Sequence, residues 1–303
     1  MNPTIILGSR GSALALAQVT LVENALRAVV PDLKIELKKI TTSGDRRADY
    51  SDVMATGAGV KGLFTKEIEQ ALIDGQIDVA VHSCKDLPGE LADGLEVCAV
   101  LERADTADVL ITRDKGFSEL PVGAVIGTGS VRRRRQLNWL RPDLSVQEIR
   151  GNVPTRLQKL ADLETLAGIV LARAGLDRLG LDLNGWHVEV LPMQHAIGQG
   201  AVALECRSGD FAVLSLLARI NHGPTFCCVR AERELLRLLN GDCNLPVGVM
   251  TRLEGSTLAM DTIIFGEEGV APVLGSVSGP LDAPEELAVE LHRQVLAQSP
   301  GSE

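Results

Sequence analysis

Through its first two-thirds the chain alternates short apolar runs with amphipathic stretches. The runs "TIILG", "KIELKKI", "DVAVH", "LEVCAV", "DVLIT", "AVIGT", "SVQEI", "GIVLA" and "HVEVL" have strand length and strand composition. Between them, polar and apolar positions recur at helical spacing, which predicts helices over Ala13–Ala28, Phe64–Asp74, Val131–Trp139 and Val153–Leu163. Strands alternating with helices are the signature of α/β domains built on largely parallel sheets. The last part reads differently. A helix over "TFCCVRAERELLRLLNG", ended by Gly241, precedes strand-like "VGVMTRLEG", "TLAMDTIIFG" and "APVLGSVSG" on short glycine turns, then a helix from Pro284 to Gln298. That predicts a small α+β domain after a break near Asn221–Thr225. There is no internal repeat at a fixed short period and no low-complexity segment.

Parallel sheets bind ligands beyond the carboxyl ends of their strands, where the strand order switches. Four polar segments occupy such places: "GSRGS" after the first strand, "HSCKDLP" after "DVAV", "GTGSVRR" after "AVI" and "RGNVPTR" after "SVQEI".

Composition narrows the classes. With 303 residues, 45% of them hydrophobic, the chain can bury the cores of two or three globular domains. No apolar run reaches the ~18–20 residues that span a bilayer, and "PTIILGSRGS" lacks the basic start and cleavage site of a secretory leader, so the expected compartment is the cytoplasm. The six cysteines form neither a CxxC pair nor a disulfide framework, consistent with reduced thiols. Aromatic content of 3% argues against a base-stacking nucleic-acid surface.

Charge sharpens this picture. The net formal charge is −10, yet Ile126–Leu160 holds eight basic residues against two acidic ones, while the chain from Ala231 onward holds twelve acids against four bases. A local positive field in a negative protein selects a specific small anion, because the rest of the surface opposes polyanions.

"GTGSVRR" is a strand, a small-residue turn and a helix start, where backbone N–H groups, the helix dipole and the hydroxyls of Thr128 and Ser130 favour an anion. The plain alternative is that Ser130 is only an N-cap and the arginines a solvated face. Arginines at the positive end of a helix are unfavourable without a compensating anion, which favours the functional reading. "RGNVPTR" repeats the theme with Arg150 and Arg156, whose planar forks match carboxylates or phosphates. No GxxxxGK[ST] or strand-borne GxGxxG supports a nucleotide.

In "HSCKDLP", Asp86 beside Lys85 can stabilise a developing cation, or simply form a turn-flanking ion pair. His82 and Cys84 lack further ligands at zinc-like spacing, so no metal is expected and His82 reads as a hydrogen-bonded residue at a strand end. Cys243, in "LNGDCNLPVG", is a reachable thiol on a loop, with Asp242 disfavouring its thiolate; Cys227 and Cys228 read as core. The glycines around Gln199 in "AIGQGAVALEC" suit a hinge or a tight turn equally.

Together the segments "GSRGSALALAQ", "TTSGD", "KGLFTKEIE", "HSCKDLP", "GTGSVRRRRQL", "RGNVPTRLQKL", "AGLDRLGL", "GQGAVALECR", "VRAERELL" and "NGDCNLPVG" resemble, in order and over nearly the whole chain, the porphobilinogen deaminase (hydroxymethylbilane synthase) family. The resemblance implies two doubly wound α/β domains of the type II periplasmic-binding-protein kind, residues 1–101 with 196–220 and residues 102–195, and a small α+β domain over 221–303. It implies a transferase that joins four porphobilinogens head to tail, with loss of ammonia, on a covalent dipyrromethane primer. The product is the linear bilane of tetrapyrrole and haem synthesis, and a cytoplasmic monomer with no nucleic-acid or membrane partner is the family expectation.

By match to family positions, Cys243 carries the primer as a thioether and Asp86 is the catalytic carboxylate, stabilising the azafulvene cation left when ammonia departs. Lys85, Asp86, Thr128, Ser130, Arg132, Arg133, Arg156, Arg178 and Gly200 fall on cofactor-binding positions; Arg10, Ser12, Gln18, Phe64, Arg150, Arg156 and Gln199 fall on substrate-binding ones. Each pyrrole of this chemistry carries an acetate and a propionate, the anions that such arginines need. Arg134 and Arg135 do not fall on family arginines and are expected to face solvent, since successive helical residues turn by ~100°. The chain departs from the family at Cys84, Val60 and His195, where an apolar residue, a glycine and a proline are common. A non-catalytic anion binder on the same scaffold and a thiol enzyme using Cys243 as acyl nucleophile are the rival readings; the first has no use for Cys243, the second lacks an adjacent histidine base in the sequence.

Overall fold

All nine apolar runs form strands. In this computed structural model, which describes residues 4–46, 64–240 and 245–298, the chain falls into two compact units. One comprises the described residues up to Arg103 and those from Ala201 to Asn240; the other comprises Ala104–Gly200 and the described residues from Leu245 on.

The first unit is built on strands β1 (Thr4–Ser9), β2 (Lys34–Lys39), β3 (Val79–Ser83), β4 (Leu95–Val100) and β10 (Val202–Arg207), in the order β2-β1-β3-β10-β4. Only β10 runs antiparallel to its neighbours. Helix α1 (Ala13–Val29) starts at Ser12, whose hydroxyl accepts the Ala15 N–H at 3.3 Å, and buries a stripe of Ala15, Gln18, Val19, Val22 and Leu26 at helical spacing. Val19, Val22 and Leu26 join Leu7, Val79, Val81, Val202 and Leu204 in one core, and each fully buried aliphatic side chain contributes about 1.5–3 kcal/mol. Two further helices, α2 (Ser43–Arg46) and α3 (Lys66–Ile73), belong to this unit.

The second unit repeats that order. Strands β5 (Asp108–Thr112), β6 (Val125–Gly127), β7 (Ser145–Gln147), β8 (Gly168–Ala172) and β9 (His187–Val190) are arranged β7-β6-β8-β5-β9, and here β5 is the antiparallel member. Helices α4 (Val131–Leu140), α5 (Val153–Asp162) and α6 (Arg173–Leu179) follow β6, β7 and β8. Both sheets are therefore doubly wound α/β sheets of the expected class, each completed by one antiparallel strand.

Strand β10 was not among the runs expected to pair. Its segment, "VALECR", carries Glu205 within an apolar run just after the glycines that suggested a hinge, and it becomes a central strand because Glu205 finds a buried partner.

After α7 (Phe211–Ala218) comes α8 (Gly223–Leu238), held in the first unit by the buried ion pair of Arg103 with Glu232 (2.6 Å). The C-terminal sheet is an antiparallel meander, β11 (Val247–Glu254), β12 (Thr257–Ile264) and β13 (Val273–Pro280), covered by α9 (Pro284–Leu296). Its first strand is bridged to His195, whose carbonyl accepts the Val249 N–H at 2.9 Å, so the residue standing at a family proline position is 3% exposed and tied to this sheet. No helix among the described residues is long and apolar enough to cross a membrane.

Candidate functional site

In the first unit, β1 and β3 end side by side and the segments after them form a small cleft. Arg10, Ser12, Gln18, Phe64, His82 and Asp86 all line it. The Arg10 guanidinium lies 4.2 Å from the centre of the Phe64 ring and donates from Nη2 and Nε to Asp45. Asp45 also accepts from the N–H and hydroxyl of Thr42 (3.1 and 2.8 Å). Burial pushes the Asp45 carboxyl up, but the hydrogen bonds from Arg10 and Thr42 outweigh it and hold the group below the usual carboxylate range. Gln18, 2% exposed, donates to the Ser83 hydroxyl at 2.8 Å.

After β3 the chain makes a single tight turn over Cys84–Asp86, closed by the Leu87 N–H on the Cys84 carbonyl (3.2 Å). Cys84 is buried in the core, where burial pushes its thiol up, as a conservative apolar replacement should behave. Lys85 is half-buried on the turn. Asp86 is half-buried too, and it makes no hydrogen bond or ion pair with another described residue, so its carboxylate is uncommitted in the cleft. His82 is a hydrogen-bonded strand-end residue, as expected, but its partner was not foreseen: its Nε2 meets the wholly buried Glu205 at 2.8 Å.

The second unit presents an arginine-rich turn. Between β6 and α4, Thr128 is buried and its hydroxyl accepts the Ser130 N–H (3.2 Å), while the Ser130 hydroxyl caps α4 by accepting the Arg133 N–H (3.4 Å). Gly129 permits this turn, because a Cβ there would stand 2.9 Å from the Ile149 carbonyl oxygen; the same point is 3.9 Å from Arg156 Nη2, which sets Arg156 against the turn. Arg150 pairs with Glu148 at 2.6 Å, and among the described residues Arg156 donates only to the Gly151 carbonyl (2.8 Å). Burial first, then the like charges of Arg133 and Arg150, lower the proton affinity of Arg156. Burial does the same to Arg178, which donates to the carbonyl of Gly200 at 2.6 Å. Gly200 itself adopts a φ of +86°, a region in which a side chain is strained.

Arg132 and Arg133 do not project into solvent. They are 4% and 6% exposed and converge on Asp108, the first residue of β5, which is 0% exposed. Arg132 Nη1 donates to Asp108 Oδ2 and Arg133 Nη2 to Oδ1, both at 2.7 Å. Arg133 Nε donates to Oδ1 as well (3.0 Å), and Gln199 is a third donor residue, its Nε2 reaching the same carboxylate at 2.9 Å. Burial pushes Asp108 up, but the two guanidinium charges and these hydrogen bonds overwhelm it and hold the carboxyl far below its usual range. One carboxylate against two guanidiniums leaves a net positive charge, and the buried Arg132 Nε has no hydrogen-bond partner among the described residues.

One expectation for α4 fails. Arg135 does not simply face solvent: Nη2 donates to the carbonyls of Gly266 (2.8 Å) and Glu267 (2.6 Å), and its guanidinium lies 5.6 Å from the centre of the Phe265 ring. A long arginine stem lets the head reach the turn after β12 even from the outer side of the helix.

Comparison with known proteins now decides the family. The model described as "Porphobilinogen deaminase, dipyromethane cofactor binding domain" matches residues 5–215, and the one described as "Porphobilinogen deaminase, C-terminal domain" matches residues 226–297. The chain belongs to the porphobilinogen deaminase family. Curated relatives of that name agree: the protein of Syntrophomonas wolfei is 46% identical over 298 residues, 96% of this chain and 95% of that one. That of Desulforudis audaxviator is 44% identical over 303 residues, covering 99% and 97%. That of Geobacter metallireducens is 42% identical over 292 residues, covering 96% and 91%. Among solved structures, the methionine binding protein MetQ is matched at a TM-score of 0.44 and 13% identity, over 76% of this chain and 94% of that one. Porphobilinogen deaminases are hydroxymethylbilane synthases, transferases of tetrapyrrole synthesis with a dipyrromethane cofactor.

Of the residues placed on family positions, Arg10, Ser12, Gln18, Phe64 and Asp86 share one cleft of the first unit. Thr128, Ser130 and Arg156 meet at one turn of the second, beside Arg150. Arg132, Arg133 and Gln199 share Asp108, and Arg178 holds Gly200. Cys243 and Val60 lie outside the described residues. Sequence reasoning missed Asp45, Asp108 and Glu205. The last two carried a signal, an acid within (Glu205) or at the head of (Asp108) a largely apolar strand segment, which is costly to bury unless a cation answers it.

Proposed function

We propose that this chain joins four porphobilinogen molecules head to tail, releasing ammonia at each step, with Asp86 as the catalytic carboxylate. The single observation that carries the binding half of this reading is Arg156, a largely buried guanidinium whose charged neighbours are themselves arginines. Such a group calls for an anion, and a substrate whose every ring bears two carboxylates provides it.

The donor set fits a dipyrromethane. Arg156 and Arg178 are partly buried cations with no carboxylate of their own among the described residues, and the Arg132–Arg133–Asp108 group keeps a positive excess. Arg132, Arg133, Arg156, Arg178, Lys85, Thr128 and Ser130 would hold its side-chain carboxylates, Gly200 its close approach, and Cys243 its thioether. When bound, the group supplies the pyrrole α-carbon from which the product grows. Cys243 attaches it once, so a thiol without a depressed pKa suffices.

Arg10, Ser12, Gln18, Phe64, Arg150 and Gln199 would receive incoming porphobilinogen. Arg10 arrives already flattened against Phe64 and paired with Asp45, so its fork is pre-positioned and substrate carboxylate competes with Asp45 for it. As the aminomethyl C–N bond of porphobilinogen breaks and nitrogen leaves with its electron pair, positive charge develops over that pyrrole ring. Asp86, uncommitted to any other described residue, accepts the pyrrole N–H and offsets the charge. We extend the reading to the family's division into three domains (1–101 with 196–220, 102–195 and 221–303) and to a cytoplasmic monomer.

Denaturing intact-mass measurement of purified protein tests the reading. A two-pyrrole adduct that disappears in Cys243→Ser supports it; no adduct, or one that survives the substitution, overturns it.

A further inference from the structure

One buried titratable group in the first unit has no part in the account so far. His82 lines the same cleft as Asp86, and its Nε2 is committed to Glu205 on β10, at 2.8 Å and with both side chains essentially buried. Glu205 stands two residues beyond Ala203, the register partner of His82, so the sheet itself fixes the pairing. Glu69 of α3 faces the same pair; burial and the Glu205 carboxylate push its carboxyl above the usual range, against the pull of Thr65 and His82. Among the described residues no three such side chains are placed to hold a metal ion. A cleft-lining histidine with a carboxylate on Nε2 has the arrangement of an oriented general base: a carboxylate that accepts Nε2–H leaves the lone pair on Nδ1.

We propose that His82, oriented by Glu205, is the proton acceptor of the coupling reaction. This rests on the porphobilinogen-coupling reading above. Each coupling forms a bond between the α-carbon of the acceptor pyrrole and the methylene carbon of the incoming ring, whose aminomethyl nitrogen, protonated in the substrate, has left as ammonia with the C–N electron pair. The acceptor α-carbon then carries both its hydrogen and the new bond, and regains aromaticity only when that hydrogen leaves as a proton. Nδ1 of His82 takes the proton, the C–H electrons return to the ring, and Glu205 offsets the imidazolium charge. Ammonia then removes the proton as ammonium, which restores His82 for the next ring. Asp86 stabilises the cation, so charge stabilisation and proton removal fall to different side chains.

Two measurements test this. In protein labelled with nitrogen-15 histidine, the spectrum of the wild type assigns His82, identified as the signal missing from His82→Asn, as the Nε2–H form. In kinetics, His82→Asn lowers kcat by about 10²–10⁴-fold, the usual range for a lost general base, with KM little changed. Porphobilinogen deuterated at the free α-carbon then reacts more slowly than the protonated form in the variant but not in the wild type. Glu205→Gln lowers kcat in the same direction and brings out the same isotope effect, and it decides the matter should His82→Asn fail to fold. Near-normal kcat in the folded variants, an unchanged isotope effect, or an Nδ1–H form in the wild type overturns the proposal. A wild-type protein that consumes no porphobilinogen and carries no adduct sinks the coupling reading itself, whereas wild-type turnover with an unaffected His82→Asn sinks only the role of His82.

Discussion

The two five-stranded sheets share one strand order, and in each the single antiparallel strand carries a wholly buried carboxylate: Glu205 on β10 and Asp108 on β5. Their partners differ in kind. Glu205 meets a histidine, which can be neutral or charged, while Asp108 meets two arginines, which cannot lose their charge. The same scaffold thus hosts a pair suited to moving a proton and a triad suited to holding fixed positive charge. What a buried acid does in such a sheet is set by whether its partner can titrate.

The comparison can be broken at several points. The largest effect is expected at Asp86. Asp86→Asn should keep the fold, judged by circular dichroism and thermal melting, and lower bilane production by roughly 10²–10³-fold; near-normal turnover removes Asp86 from the chemistry. Next comes Asp108→Asn, which strands two buried guanidiniums and should cost about 3–5 kcal/mol in denaturant unfolding. Glu205→Gln should cost less, because an imidazole beside it can be neutral and the arginines cannot. Equal losses would show that partner chemistry does not distinguish the two acids.

The pH dependence follows with the same sign. Because the folded Asp108 holds its carboxyl below its ordinary value of 3.8, its stabilisation is fully present above that pH and is lost as the pH falls through and below it, when the unfolded chain takes up a proton that the folded chain refuses. Acid unfolding that is unchanged in Asp108→Asn would contradict this.

A smaller effect is expected at Arg156→Ala. It should raise KM for porphobilinogen by the equivalent of about 1.5–3 kcal/mol, while leaving stability unchanged or slightly higher, since it relieves crowding among like charges. The smallest is Asp45→Asn. Arg10 and Asp45 are about a quarter exposed, so their pair is worth no more than about 1 kcal/mol in melting experiments. Its more telling readout is a lower KM, because a freed Arg10 no longer has to leave a partner.

Much of this was legible in the sequence, and the omissions share a cause. Runs such as "DVLIT" and "GIVLA" are buried on both faces of their sheets and could hardly be anything but strands. Ser130 announces a helix start that α4 obeys. Strand β10 escaped notice because Glu205 interrupts its apolar pattern, and the pattern makes sense only once His82 is known to lie across the ladder. Asp108 escaped for the same reason, its partners lying 24 and 25 residues away. For Arg132 and Arg133 the family positions were legible, but their burial was not; a run of four arginines reads as surface until a carboxylate is found beneath it. Arg135 shows the limit of helical periodicity, since reach along a flexible stem overrides the side of the helix from which it starts.

The order of strands along the chain also dictates an order of assembly. The second sheet uses β5 to β9, which are consecutive, whereas the first cannot close until β10, beginning at Val202, has left the ribosome. During synthesis the edge of β3 therefore waits unpaired while the whole of β5–β9 is made, and His82 has no Glu205 to meet. Of the two five-stranded sheets the N-terminal one is thus the last to be completed, the reverse of the usual progress from first to last, and its His82–Glu205 pair comes into being only with that closure.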